Sequence, residues 1–218
     1  MRLLASLLCT AVAASALAAA ESKPDPTTMN PTTVPARDPR IAYMGRVAFV
    51  GDDASMGFPG ITVRFVYRGS APTLRLSAAS PHCYFNLACN GWDPVVIHLL
   101  SGQNEIPLPT GTAPASGWLV ELVRRTESWQ GIATFEGLRL PPGCELLPPP
   151  PWPGRKLMFI GDSITGGEFL ERFPPENIST PQSANAARSY GMLLGRWLPA
   201  QVHLVSYGGD DIPPRWGY

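Results

Sequence analysis

Excess charge of either sign is missing from this sequence: 17 Lys and Arg face 17 Asp and Glu across 218 residues. Polyanion binding requires a basic face from which counterions are released, so nucleic acid is excluded as an expected partner. Beyond the first twenty residues no uninterrupted apolar stretch approaches the roughly 20 residues of a membrane-spanning helix, and no membrane attachment is expected once that leader is removed. Histidine is scarce, with three in the chain. The G-x-S-x-G elbow of the α/β-hydrolases is also absent, because Thr165 stands where its second glycine would be. A hydrophobic fraction of 44% with only 16% charged residues excludes wholesale disorder. Proline is abundant instead. The 25 prolines are about twice the usual share of roughly 5%, which excludes a helical bundle and favours short strands joined by stiff turns.

Residues 1–20 carry Arg2, an apolar run from Leu3 to Leu17, and Ala18-Ala19-Ala20 before Glu21, the layout of a secretory signal peptide. The run is too short for a membrane anchor and lacks a flanking basic stop. A secreted, extracellular product is expected. Cleavage removes Cys9 and leaves Cys83, Cys89 and Cys144, an odd number in an oxidising compartment. Residues 21–40, rich in Pro and Thr, read as a flexible or glycosylated linker with no fold of its own.

From 41 to 147 the pattern is one of short alternating runs. Ile61, Val63, Phe65 and Tyr67 fall on one face of a half-buried strand, with Thr62, Arg64 and Val66 on the other. Tyr84 to Ala88 and Val95 to Leu100 flank Asn90-Gly91, a pair that tolerates positive φ at both positions and suits a hairpin. Trp118 to Arg124 repeats the alternation. Strands at this spacing with Gly- and Pro-bearing turns indicate an antiparallel β-sandwich, jelly-roll-like in arrangement. Cys83 and Cys89 bound one extended segment and stand roughly 20 Å apart at about 3.3 Å per residue. That separation forbids a disulfide between them, whereas Cys83 with Cys144 stays open.

Residues 148–154 form a polyproline-type connector around Trp152. In 155–218 the composition changes. Lys156 to Ile160 is a continuous run of the kind seen in a strand covered on both faces, and Ser183 to Leu198 places Tyr190, Leu193, Leu194 and Trp197 on one face of a helix that Pro199 closes. Gln201 to Ser206 reads as a second strand, so strand, helix and strand open an α/β unit. Two parallel strands and one helix leave Phe159, Leu193 and Trp197 partly wet. The chemistry hangs on Ser163, at the bend after the first strand, where open α/β sheets place their sites. A serine hydroxyl becomes a nucleophile only beside a base and facing N–H donors for an oxyanion. Without such partners Gly161-Asp162-Ser163 reads as a turn with a helix cap.

Phe159-Ile160-Gly161-Asp162-Ser163-Ile164-Thr165 resembles the first block of the SGNH (GDSL-type) hydrolases, and what precedes it resembles the N-terminal β-sandwich of carbohydrate esterase family 2. Glu121 to Glu127, Glu145-Leu146-Leu147 with its prolines, Tyr190-Gly191 and His203 to Tyr207 support the likeness, which covers roughly residues 41–209. The resemblance implies a β-sandwich followed by an SGNH, flavodoxin-like domain. It also implies removal of acetyl groups from acetylated polysaccharide such as xylan or glucomannan, by an acyl-enzyme route without metal or cofactor. In that comparison Ser163 matches the nucleophile and one oxyanion donor, and Gly209 matches the second-block glycine that supplies the next donor. The family's third-block asparagine and late histidine have no counterpart, and the Arg-Gly pair after the second-block glycine is replaced by Asp210-Asp211-Ile212-Pro213-Pro214. Only 64 residues follow Gly154, so the SGNH domain reads as incomplete and the chain as C-terminally truncated and weakly active or inactive.

His203 lies in a strand, His82 and His98 in the sandwich, and all three read as structural. Asp162 reads as a turn former, not a triad acid. Asn177-Ile178-Ser179 is a glycosylation sequon. The competing reading is a non-catalytic glycan-binding accessory module, or a gene-model fragment, contacting sugar through Trp92, Trp118 or Trp129. Intact-mass measurement of secreted protein is expected to show a first residue near Glu21, and a product retaining Met1 or Cys9 would contradict the signal-peptide reading.

Overall fold

The computed structural model describes residues 30–109, 114–172 and 179–209. The signal peptide, Cys9 and Asn177 lie outside the described residues. Twelve strands build two antiparallel sheets: β1 Thr32–Val34, β2 Ala42–Met44, β3 Ala48–Val50, β4 Asp53–Met56, β5 Thr62–Gly69, β6 Thr73–Ala78, β7 Tyr84–Cys89, β8 Val95–His98, β9 Gly102–Pro107, β10 Trp118–Arg124, β11 Ala133–Leu140 and β12 Cys144–Leu147. One sheet runs β3-β4-β11-β6-β9 with β1 also on β11, and the other β12-β5-β10-β7-β8 with β2 also on β5. Phe65, Leu74, Leu76, Phe85, Leu122 and Phe135 are fully buried between them, each such side chain contributing about 1.5–3 kcal/mol of hydrophobic stabilisation. The alternation along β10 is followed residue by residue, since Trp118, Val120 and Leu122 are buried and Leu119 and Glu121 are not. Asn90 and Gly91 both take positive φ, 51° and 74°, and β7 pairs antiparallel with β8.

The structure corrects three expectations and settles one cysteine pairing left open. Residues 32–40 are not a free linker: Thr32–Val34 pairs with Leu138–Leu140 of β11, and Val34 and Ala36 are buried. A bulge at Gly137 admits this strand. With φ at +106°, a Cβ there would stand 2.0 Å from the Val34 carbonyl oxygen. β5 is buried on both faces from Thr62 to Tyr67 apart from half-buried Arg64, which Trp152 covers, and is exposed at Arg68 and Gly69. Cys83, Cys89 and Cys144 are free thiols, so the Cys83–Cys144 bridge is not formed.

The third correction concerns the C-terminal segment. β13 Lys156–Gly161 pairs in parallel with β14 Gln201–Ser206, but the span from 183 to 198 is not one helix. α1 Ser163–Gly166 and α2 Thr180–Ser183 are short, a 3₁₀ turn occupies Ala186–Arg188, and α3 is confined to Tyr190–Trp197. The face of α3 that packs is Gly191, Met192 and Gly195, while Leu193 and Trp197 are 51% and 80% exposed. Glycine decides this. A Cβ on Gly195 would lie 2.1 Å from Val202 Cγ2 and one on Gly191 2.9 Å from the Phe159 ring, so the helix sits closer to the sheet than any stripe of large side chains permits. β13 is consequently covered on one face only, with Met158 and Ile160 exposed. Ala186, Met192, Val202 and Leu204 form a second small core that includes Met44 of β2, which joins the segment to the sandwich.

Gly195→Val is expected to lift α3 from β14, a misfit of about 1–3 kcal/mol in a packed interior. Limited proteolysis should then cut within residues 180–209 while the sandwich survives.

Candidate active site

The bend after β13 is shaped by three glycines and one cap. A Cβ on Gly161 would stand 2.0 Å from Thr165 Oγ1, so only glycine lets the first turn of α1 fold back under the strand end. Asp162 is extended and its Oδ1 accepts from the Ile164 amide at 2.9 Å. This is the turn-forming role its position indicates, an N-cap satisfying one amide that the helix leaves without a partner. Gly166 N–H donates to the Asp162 carbonyl, and Gly167, left-handed at φ +79°, closes the turn. Ser163 is thereby the first helical residue, half-buried. Thr165 and Tyr190 hydroxyls meet at 2.9 Å and tie the bend to α3.

The parallel register places Gly161 beside Ser206, and the Tyr207 amide extends the ladder to the Gly161 carbonyl. Ser163 and Gly209 therefore lie just past the carboxyl ends of two adjacent strands. Gly209 is exposed with φ +82°. The three histidines stand elsewhere: His98 stacks on Tyr84 and meets the Pro81 carbonyl, His82 is exposed on a sandwich loop, and His203 packs edge-on against Phe58. Burial, then the Arg46 charge, holds His203 below the usual imidazole range. Trp118 is buried, with Trp92, 59% exposed, edge-on against it. Among the described residues no cluster of three His, Cys, Asp or Glu is arranged for a metal ion.

The residues that sequence reading missed are those that carry the bend. Arg124, Arg125, Thr126 and Glu127, at the end of β10, are all buried. Arg124 donates to the carbonyls of Met56, Thr126, Glu127 and Gly131. Arg125 reaches across to the later segment, donating to Asn86 Oδ1 at 2.8 Å, to the Ala184 carbonyl at 2.9 Å and to Glu171. Asn185 completes the knot by donating to Glu171 and accepting from Asn86, and its amide holds the Gly167 carbonyl at 2.8 Å. Burial would raise the Glu171 carboxyl, but hydrogen bonds from Arg125 and Asn185 and the charges of Arg125 and Arg188 outweigh it and hold it below the usual range. Glu127 accepts from the Trp129 indole and from the Gly208 amide, each at 2.8 Å. Beside it, burial and then the Glu127 charge push the Glu168 carboxyl up to about 7. Four consecutive polar residues ending an otherwise alternating strand were the available signal.

Residues 43–150 match the family model for the carbohydrate esterase 2 N-terminal domain. An acetylxylan esterase / glucomannan deacetylase of Cellvibrio japonicus is 36% identical over 187 residues, 84% of this chain and 51% of that protein. The chain is carbohydrate esterase family 2-like. A family two carbohydrate esterase structure from Cellvibrio japonicus aligns with TM-score 0.75 at 34% identity, covering 83% of this chain and 53% of that one. A second, from Clostridium thermocellum in complex with cellohexaose, aligns at 0.71 and 26%, covering 81% and 54%. The likeness thus runs past the sandwich into the segment bearing Ser163, and the chain spans about half the length of the Cellvibrio relative.

Arg125→Met is expected to strip the Glu171 and Asn86 partners together and to cost about 3–5 kcal/mol, the range for breaking a buried ion pair. Urea denaturation of the variant against the parent measures it.

Proposed function

We propose that this is a secreted carbohydrate esterase that removes O-acetyl groups from plant cell-wall polysaccharide through Ser163, in an SGNH-type domain that begins after the proline connector. The supporting observation is the serine itself, held by a capped glycine bend at one strand end with Gly209 at the next, in a chain akin to acetylxylan esterases. Ser163 Oγ would attack the acetyl carbonyl and lose its proton to a base. The sugar hydroxyl would leave with a proton, and water would release acetate from the acyl-serine. The amides of Ser163 and Gly209 are the oxyanion donors in this reading. The Ser163 proton needs an acceptor, and none of the three histidines is packed against Ser163. The 218 residues by themselves are therefore expected to turn over weakly or not at all, since loss of the general base removes several orders of magnitude of rate.

A non-catalytic glycan-binding reading has one observation in its favour, the exposed Trp92 braced by Trp118. Sugar binding lost on Trp92→Ala would support it.

For the esterase, hydrolysis of an aryl acetate by the 218-residue protein is compared with Ser163→Ala, with and without added imidazole. We expect a near-background rate and, once imidazole's own protein-free hydrolysis of the ester is subtracted, an imidazole-dependent increment only when Ser163 is present, because the free base takes the place of the proton acceptor. Equal rates for both proteins in imidazole would refute the nucleophile assignment. Strong Ser163-dependent turnover without imidazole would instead reveal a base other than these histidines.

A further inference from the structure

The backbone that would carry the oxyanion donors is held from outside its own domain. Glu127 belongs to the sandwich and is fully buried, yet its Oε2 accepts the Gly208 amide, the residue before Gly209. Its Oε1 lies against the other half of the site, since a Cβ on Gly166 would fall 2.2 Å from it. One carboxyl group thus bridges the serine turn and the Gly208–Gly209 turn. Glu127 Oε1 and Glu168 Oε1 are both buried without a hydrogen-bond donor, and Ser206 Oγ beside them is likewise unpartnered. Oxygens of the two glutamates approach within 3.0 Å of the point where a Cβ on Gly208 would stand.

Two carboxylates facing each other in a buried site cannot both be charged and both be satisfied. A single proton between them resolves the conflict, because one group then donates to the other. We propose that Glu127 and Glu168 share one proton and act as a carboxyl clamp, with Glu127 the positioning residue for the Gly208–Gly209 turn and Glu168 the partner that makes the clamp sensitive to pH. The role in catalysis rests on the Ser163 reading above, whereas the clamp itself does not.

Among the described residues no cation is hydrogen-bonded to either carboxyl group, although the Arg124 and Glu127 charges attract each other through space. From the turn after β10 the Trp129 indole faces the pair, already donating to Glu127 Oε2. Arg124, on β10, directs its guanidinium at backbone carbonyls, that of Glu127 included, and not at either carboxyl group. From β14 the neutral Ser206 hydroxyl faces Gly166 and Glu127. The rise of the Glu168 carboxyl to about 7, caused first by burial and then by Glu127, agrees with this geometry. The folded carboxyl holds its proton where the unfolded one, ordinarily near 4.5, has lost it. The clamp is therefore complete at low pH, and its contribution falls as pH rises from about 4.5 toward about 7, above which two like charges face each other.

Glu168→Gln tests the clamp, because an amide keeps the shape and donates permanently to Glu127 in place of the shared proton. In the 218-residue protein the exchange protection of the Gly208 amide is followed by NMR from pH 5 to 8.5, relative to an unstructured reference. Each pKa unit corresponds to about tenfold in an equilibrium, and partial exposure of Glu168 discounts the full shift, so protection should fall roughly tenfold in the parent. In Glu168→Gln it should stay flat. Matching curves in the two proteins, or no fall in the parent, would overturn the proposal. Should the variant fail to fold, carbon-detected titration of the Glu168 carboxyl in the parent decides instead: a midpoint well above 4.5 supports the clamp and an ordinary one refutes it. None of these readouts needs substrate, so they hold or fail separately from the imidazole experiment on Ser163. If both hold, the imidazole-dependent increment per unit of free-base imidazole should also decline above pH 7.

Discussion

The run Arg124-Arg125-Thr126-Glu127 is buried as a unit, and much of the remaining architecture answers to that burial. A charge taken out of water costs several kcal/mol unless it is paired and hydrogen-bonded. The three charged side chains meet that demand in two directions. Arg124 turns inward and is satisfied by four carbonyls of the sandwich loops. Arg125 and Glu127 turn outward, and their partners, Glu171, the Ala184 carbonyl and the Gly208 amide, belong to the segment beyond the proline connector. The sandwich is thus a template against which the serine-bearing turns are set. Without the later segment Arg125 would lose Glu171 and the Ala184 carbonyl, and Glu127 would lose the Gly208 amide.

This arrangement explains how a short piece of α/β structure keeps a defined site. α1 has four residues and the sheet beside it two strands, too little to hold a bend by propensity or by sheet burial. Its geometry comes from contacts made between the sandwich and the later segment. Asn185 fixes the Gly167 carbonyl while being held by Asn86 and Glu171, and Glu127 presses on Gly166 and binds Gly208. Glycine at 161, 166 and 208 is required because strands, helix and carboxyl groups converge more closely than a side chain allows.

The same junction contains a cleft of about 310 Å³ between the outer face of β5 and α3, bordered by Arg64, Glu121, Trp152 and Met192. Arg64 stacks 3.5 Å over the Trp152 ring and pairs with Glu121 across β5 and β10. The connector is therefore anchored to the sandwich through Trp152. The cleft does not include Ser163 and lies where the later segment packs on the sandwich. It also accounts for the burial of the second face of β5, which a half-exposed strand in an isolated sandwich would not show.

Much of the local structure could be read directly: the alternations at 61–67 and 118–124, the Asn90-Gly91 turn, the parallel strands at 156–160 and 201–206, and the Asp162 cap before Ser163 each depend on neighbours within a few residues. The sequence by itself thus determined the strand periods, the turn and the bend, because backbone preference and side-chain alternation are local. Which surface covers which was decided only in three dimensions. The apolar stripe Tyr190–Leu193–Trp197 lost to the Gly191–Met192–Gly195 face because close approach of helix and sheet is a property of both partners. Thr32–Val34 became a strand because Gly137 bulges β11 more than a hundred residues away. Glu127 and Arg125 became central because burying a charge is tolerable only where distant groups converge to satisfy it, and no local pattern records where those groups will stand.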